Sequence, residues 1–363
     1  MGINLYFREE DWERIHRDWS LWWAHELERP MVVIETFHPV MLPKEVFSRQ
    51  FLLEKPAQQV IHFFQQNLES RGFFGDAMPK WFPNFGPGLM AGFLGTDVHC
   101  RPEQNTVWFN AKAAKSIDEI SFKFDLQNPW WLRVKELTSL AAQSWGDKVC
   151  IGHTDLGGGL DILASLRSAN QLLLDLVESP GQVLRLTKEV TRLWLRYYDE
   201  LYRLIKRTGR GTAPWAEIWS PARTYMFQSD LSYMISPKMF QKFVIPEIAE
   251  CCANMDHTFY HLDGKGQIAH LELLLAMKEL DGIQWIPGAG EPPPEEWMPL
   301  LKKIRDRGKL CQVYVTAQGA RKIVREIGGK GFAFYVIPFP VMNKQQANDF
   351  IKTLAAEDAL GKS

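Results

Sequence analysis

The chain is poor in cysteine and carries no excess of charge. Its five cysteines, Cys100, Cys150, Cys251, Cys252 and Cys311, are odd in number and irregularly spaced. No CxxC pair occurs, so neither a disulfide framework nor a four-thiolate zinc site is expected. Lysine and arginine total 42 against 43 for aspartate and glutamate, a net charge of −1. That balance argues against a protein held to nucleic acid or to an anionic membrane by bulk charge. No apolar run reaches the roughly 18–20 residues that span a bilayer. The opening MGINLYFREEDWER has no basic start followed by an apolar stretch, so no secretory leader is read and a cytoplasmic location is expected. Internal repeats and low-complexity tracts are missing, as are GxGxxG after a strand, GxxxxGK[ST], HExxH and GxSxG.

What the chain does have is tryptophan. There are 14 in 363 residues, within a hydrophobic content of 46%. Such a surplus builds a large core or lines a pocket for rings and methyl groups. Short apolar or aromatic runs alternate with long amphipathic stretches, the pattern of βα units around a parallel sheet. Strands are expected at 31–36, 77–83, 106–109, 149–155, 212–219, 257–263, 282–286, 310–316 and 332–337, with 106–109 as an accessory strand. Helices are expected at 56–69, 130–145, 181–207, 237–252, 268–280, 296–307, 319–326 and 343–356. In 181–207, Val183, Leu186, Val190, Leu193, Tyr197, Leu201 and Leu204 form one apolar stripe. Ser236-Pro237 pairs an N-cap serine with proline at the first helical position. The fold expected is a single α/β structure, a (βα)8 TIM barrel (71–363) with an N-terminal helical extension (1–70) packed on it. A doubly wound open sheet is the alternative.

In such a barrel, functional side chains gather at the C-terminal ends of the strands. The residues expected there are Glu35 and His38, Trp81, His153 and Asp155, Glu217 and Trp219, His261 and Asp263, and Gln284 and Trp285. Period two puts His261 and Asp263 on one face, and likewise His153 with Asp155 and Trp215 with Glu217 and Trp219. Imidazole and carboxylate grouped in this way can hold a divalent metal or act as an acid–base pair. Each residue has a plainer alternative. Asp263 would also serve as a helix cap, and Glu217 as a solvated carboxylate. Gly157-Gly158-Gly159 is either an anion cradle at a helix start or a tight βα connection.

Several segments together resemble the uroporphyrinogen decarboxylase superfamily. Residues 234–247, MISPKMFQKFVIPE, are similar to its SPxxFxxFxxP helix. Tyr260-His261-Leu262-Asp263-Gly264 stands where that family has H-x-C/D-G, Gly282-Ile283-Gln284-Trp285 where it has G-x-D, and Glu217 where an acidic residue precedes the SP helix. The arginine-rich R-Q-A-G-R motif of true decarboxylases is absent from the first strand, Arg29-Pro30-Met31-Val32. The resemblance therefore points to the cobalamin-dependent methyltransferase branch and its demethylase relatives. It implies methyl transfer to or from a corrinoid carried on a separate protein, with a small methoxy or methylamine compound as substrate. Zinc or another divalent metal would sit on His261, Asp263 and Glu217. Asp263 stands where that branch places a thiolate, and no cysteine follows Cys311. The residues then expected to be catalytic are His261, Asp263, Glu217 and Asp155. Those expected to bind substrate are Trp81, His153, Trp219, Arg223, Tyr225, Gln284 and Trp285. A homodimer is a further expectation. Other readings are a lyase or hydrolase working on a small polar or sugar-like substrate through Glu217 and Asp263, and a barrel that binds without catalysis.

Overall fold

A computed structural model describes residues 2–37, 49–101, 106–110, 116–337 and 343–360. Among these the strands are β1 (Met31–Phe37), β2 (Arg71–Gly75), β3 (Lys80–Trp81), β4 (Asp97–Arg101), β5 (Thr106–Asn110), β6 (Cys150–Ile151), β7 (Thr224–Phe227), β8 (His257–Asp263), β9 (Gly282–Ile286), β10 (Leu310–Val315) and β11 (Phe332–Val336). Parallel pairing runs β7-β8-β9-β10-β11-β1, and β3 pairs in parallel with β6. These are the eight staves of a (βα)8 barrel, as expected. β2 is an antiparallel addition on the edge of β1. β4 and β5 form a separate antiparallel pair, so 106–109 is an accessory strand as read from the sequence. Because β1 pairs with β11, the barrel sheet takes in part of the stretch expected to be an extension. What stands before the barrel is one helix, Glu9–Trp23.

Strand alternation divides the apolar residues into two clusters. Val32, Ile34, Ile283, Trp285, Cys311, Val313, Phe332 and Phe334 face the outer helices. Met31, Val33, Met226, Phe259, Leu310, Ala333 and Tyr335 face the interior. The helix Pro180–Ile205 buries Val183, Leu186, Val190, Tyr197 and Leu201 on the stripe expected for it. The stretch 237–252 is two helices, Pro237–Phe243 and Ile245–Cys252. Pro246 lacks the N–H needed to carry one helix through.

The largest departure concerns 212–219, which is not a strand. Its ends meet in a single antiparallel bridge, Thr212 to Ser220, and the stave of the barrel is β7, just beyond. WAEIW alternates like a strand, but Pro214 and Pro221 flank it and cannot supply ladder N–H groups. The loop turns into the barrel instead. Ala213, Ala216, Ile218 and Trp219 join the interior cluster, and Ser220 Oγ meets His257 Nδ1 at 2.8 Å.

The helix Glu9–Trp23 closes the N-terminal end of the barrel. Trp12, Ile15, Trp19 and Trp22, three or four positions apart, are buried on one face together with Trp23. Trp22 stacks on Phe259, Trp23 stacks on His257, and Trp23 Nε1 donates to Trp219 O at 2.9 Å. Arg29 holds this corner by donating two hydrogen bonds to the Asp76 carboxylate, which also accepts from Val32 N.

Candidate functional site

Polar side chains occupy the other half of the interior. Register places His261 of β8 beside Gln284 of β9, and Gln284 beside Gln312 of β10. All three face inward, on the same parity as Phe259 and Leu310. They are joined side by side. His261 Nδ1 meets Gln284 Oε1, Gln284 Nε2 donates to Gln312 Oε1 at 2.5 Å, and Gln312 Nε2 donates to the backbone carbonyl of Glu217 at 3.0 Å. The inserted loop is therefore the far anchor of the line. Its Trp215 meets the His261 ring edge-on, with centroids 5.0 Å apart, and donates Nε1 to Met226 O.

His261 Nε2 lies 3.8 Å from Asp263 Oδ2. Burial alone would lower the histidine pKa. The contacts with Asp263 and Gln284, and the negative charges of Asp263 and Asp230, outweigh it and raise the value above the ordinary one. Asp155 is within electrostatic reach. Burial pushes its carboxyl up to about 7, against the pull of the Gly157 N–H and His261. Its Oδ1 accepts from Gly157 N at 2.9 Å, and Gln228 Nε2 lies 3.4 Å from both carboxylate oxygens. Asp230 is also raised, by burial and by Asp263, with His261 opposing.

Glu217 comes into the interior by another route than the one expected. It forms an ion pair with Lys80 of β3, whose ammonium also donates to Ala216 O. Glu35 pairs with Arg71 at 2.9 Å. Tyr314 and Tyr335 pack edge to face beside these pairs. A zinc or other divalent ion on His261, Asp263 and Glu217 does not fit this arrangement. Glu217 is held by an ammonium, His261 Nδ1 is taken up by Gln284, and among the described residues no three His, Cys, Asp or Glu side chains gather as a ligand set.

Several residues expected in the pocket lie elsewhere. Trp81 packs outward on Phe64 and Trp145, because its neighbour Lys80 takes the inward position. Trp285 likewise packs on Trp297 while Gln284 faces in. Trp219 sits at the closed end against His16, with its Nε1 on Arg210 O. Arg223 precedes β7, at the N-terminal end of the stave, and pairs with Asp199 at 2.6 Å. His153 leaves the β6 edge after Gly152 and stacks on Tyr198 at 4.1 Å. Burial, reinforced by Arg223, drives its pKa down to about 3. Tyr225 faces the outer helix Pro180–Ile205, where it packs on Trp194, and its hydroxyl accepts from Leu156 N at 2.8 Å. His38 lies outside the described residues.

The glycine triplet is a tight connection. At Gly158 a Cβ would meet Gln228 O at 2.0 Å, and at Gly159 it would meet Glu247 Oε2 at 2.3 Å. The helix start does hold an anion, and that anion is the protein's own. Gly159 N donates to Glu247 Oε1 at 2.7 Å. Burial brings that carboxyl to about 7.

Sequence reading missed Gln312, Lys80 and Asp230. Gln312 and Lys80 were readable in principle, as polar residues on the inward parity of β10 and β3. Asp230 opens the short 3-10 helix Asp230–Met234, where strand parity gives no such signal.

No family model and no curated protein matches the sequence. Among solved structures, a methyltransferase from Methanosarcina mazei matches 96% of this chain and 99% of its own, at 10% identity and a TM-score of 0.58. A B12-independent methionine synthase from Shewanella sp. W3-18-1 matches 62% of this chain and 65% of its own, at 11% identity and a TM-score of 0.35. The first likeness is one of fold. Among the described residues no helix is long and apolar enough to cross a membrane.

Proposed function

We propose that the protein is a methyl-transfer enzyme of the corrinoid-linked type, acting on a small methoxylated compound at the mouth of the barrel. One observation carries this reading: His261 points Nε2 toward Asp263 at the strand end, in surroundings that favour its protonated form. The alkoxide or phenoxide of a methyl ether is a poor leaving group until its oxygen is protonated. The imidazolium gives its Nε2 proton to that oxygen as the C–O bond breaks. The methyl group passes to a nucleophile supplied by a corrinoid-carrying partner protein, leaving the free hydroxyl compound and neutral imidazole. Asp263 and Asp230 keep the proton on His261 before the step, and Trp215 offers an aromatic wall beside it.

The methyltransferase likeness agrees with this chemistry at the level of the fold, and the carboxylate-pair alternative loses support because Glu217 is engaged by Lys80. The test is to incubate the protein with reduced cobalamin and a panel of methoxylated compounds, and to follow both the corrinoid spectrum and the hydroxyl product. Wild-type turnover should fall about 10²- to 10⁴-fold in His261→Ala. Product that forms equally well without cobalamin, or a His261→Ala variant as fast as wild type, would overturn the proposal.

A further inference from the structure

The line from His261 to the inserted loop has a direction, and its far end sets it. The carbonyl of Glu217 can only accept, so the group of Gln312 that faces it must be the amide NH₂. Gln312 then presents its Oε1 to Gln284, which must answer with its own NH₂. That leaves Gln284 Oε1 facing His261 Nδ1. An acceptor on that side calls for a hydrogen on Nδ1. In the neutral ring Nε2 is then the free base facing the mouth, with the Asp263 carboxylate 3.8 Å away and so beyond hydrogen-bond distance; in the charged ring the Nε2 proton is the one available to leave. Tyr314 also touches Gln284, but a hydroxyl can donate or accept and does not reverse the sense. Gln284 and Gln312 are both fully buried, so water does not compete for these groups and a reversed amide would leave two donors or two acceptors facing each other, at a cost of about 1–3 kcal/mol per unsatisfied group.

We propose that Gln312 is a positioning residue that acts through Gln284 to hold His261 in the Nδ1–H tautomer, with the Glu217 carbonyl of the inserted loop as the fixed end of the relay. The inference deepens the function proposed above and rests on it for its purpose, but its physical content is independent. Gln312 touches no substrate. It fixes which nitrogen of His261 is free to exchange a proton with the mouth.

The experiment is ¹⁵N NMR of the full-length protein labelled at histidine, at a pH where His261 is neutral, with His261→Gln used to assign its ring signals among the nine histidines. The wild type should show a protonated Nδ1 and an unprotonated Nε2. Gln312→Leu removes the acceptor that orients Gln284, so the Nε2–H tautomer should appear. Gln312→Glu, protonated in its buried place, keeps one donor for the Glu217 carbonyl and one acceptor for Gln284, and should restore the wild-type pattern. A wild-type ring protonated at Nε2, or a Gln312→Leu spectrum identical to wild type, would overturn the inference. Its failure is separable from that of the proposed function. An unmoved tautomer with a His261-dependent methyl-transfer rate sinks only the relay. A tautomer that shifts as expected, in a protein that transfers no methyl group, sinks only the reaction.

Discussion

The two ends of this barrel are built from opposite materials. The N-terminal end is dry. Trp22 and Trp23 of one helix press onto Phe259, His257 and the inserted loop, with Trp12 and Trp19 buried on the same helix, and the polar atoms Ser220 Oγ and His257 Nδ1 satisfy each other. The C-terminal end holds His261, Asp263, Asp230 and Asp155 within mutual electrostatic reach. The same strands supply both ends. On β8, Phe259 faces the sealed half and His261 and Asp263 the mouth, two and four residues further along the same face. Packed indoles seal one end, and at the other His261, Asp155 and Asp230, all raised by burial or neighbouring charge, lie together at the strand ends where a barrel places its chemistry.

This division can be tested by damaging one end at a time. The largest loss of stability is expected from Trp19→Ala, about 3–5 kcal/mol for a fully buried tryptophan, read as a shift in the denaturant midpoint. A loss below about 1 kcal/mol would mean that the helix is an ornament. Next is His261→Ala, which should leave the midpoint within about 1 kcal/mol while the methyl-transfer rate collapses as stated above; a large fall in stability would show that the mouth, too, is structural.

Asp155 should give a pH signature. Its carboxyl is held up to about 7 in the folded protein, whereas an unfolded aspartate titrates near 3.9. The folded state therefore holds the extra proton. This contribution to stability is present at acid pH and is lost as pH rises from about 4 to about 7, by at most about 1.4 kcal/mol per pH unit. Asp155→Asn should remove that slope and make the protein relatively more stable at pH 8 than at pH 5, compared with wild type. Parallel stability–pH curves for the two proteins would refute it. The smallest effect belongs to the sealed end. Ser220→Ala gives up the contact with His257 and the bond from Ala222 N, and should cost about 0.5–1.5 kcal/mol in thermal or denaturant unfolding without touching activity.

Much of the fold was legible because βα repetition is written in local periodicity. The stripe of the helix Pro180–Ile205 and the alternation of β8 follow from spacing alone. The inserted loop was not legible. Trp215, Glu217 and Trp219 alternate as a strand would, and only tertiary contacts with Lys80, Gln312 and Trp23 reveal that they lie inside the barrel. The tryptophans misled for a related reason. Trp81 and Trp285 stand next to inward residues, and parity sends them outward. The inward position of His261 and Asp263 was legible because they lie on a long, regular strand. Gln312 went unnoticed although its inward parity on β10 was readable, because what a glutamine does there depends on the neighbours it meets.

The tryptophan helix also has a consequence for how the protein is made. It is translated well before its partners: Trp23 finds its partner carbonyl 196 residues further along the chain, and Trp22 must wait for Phe259. A nascent chain leaving the ribosome thus carries a row of exposed indoles while those 196 residues are made. The seal that makes the finished barrel dry is, until those partners are made, its most adhesive surface.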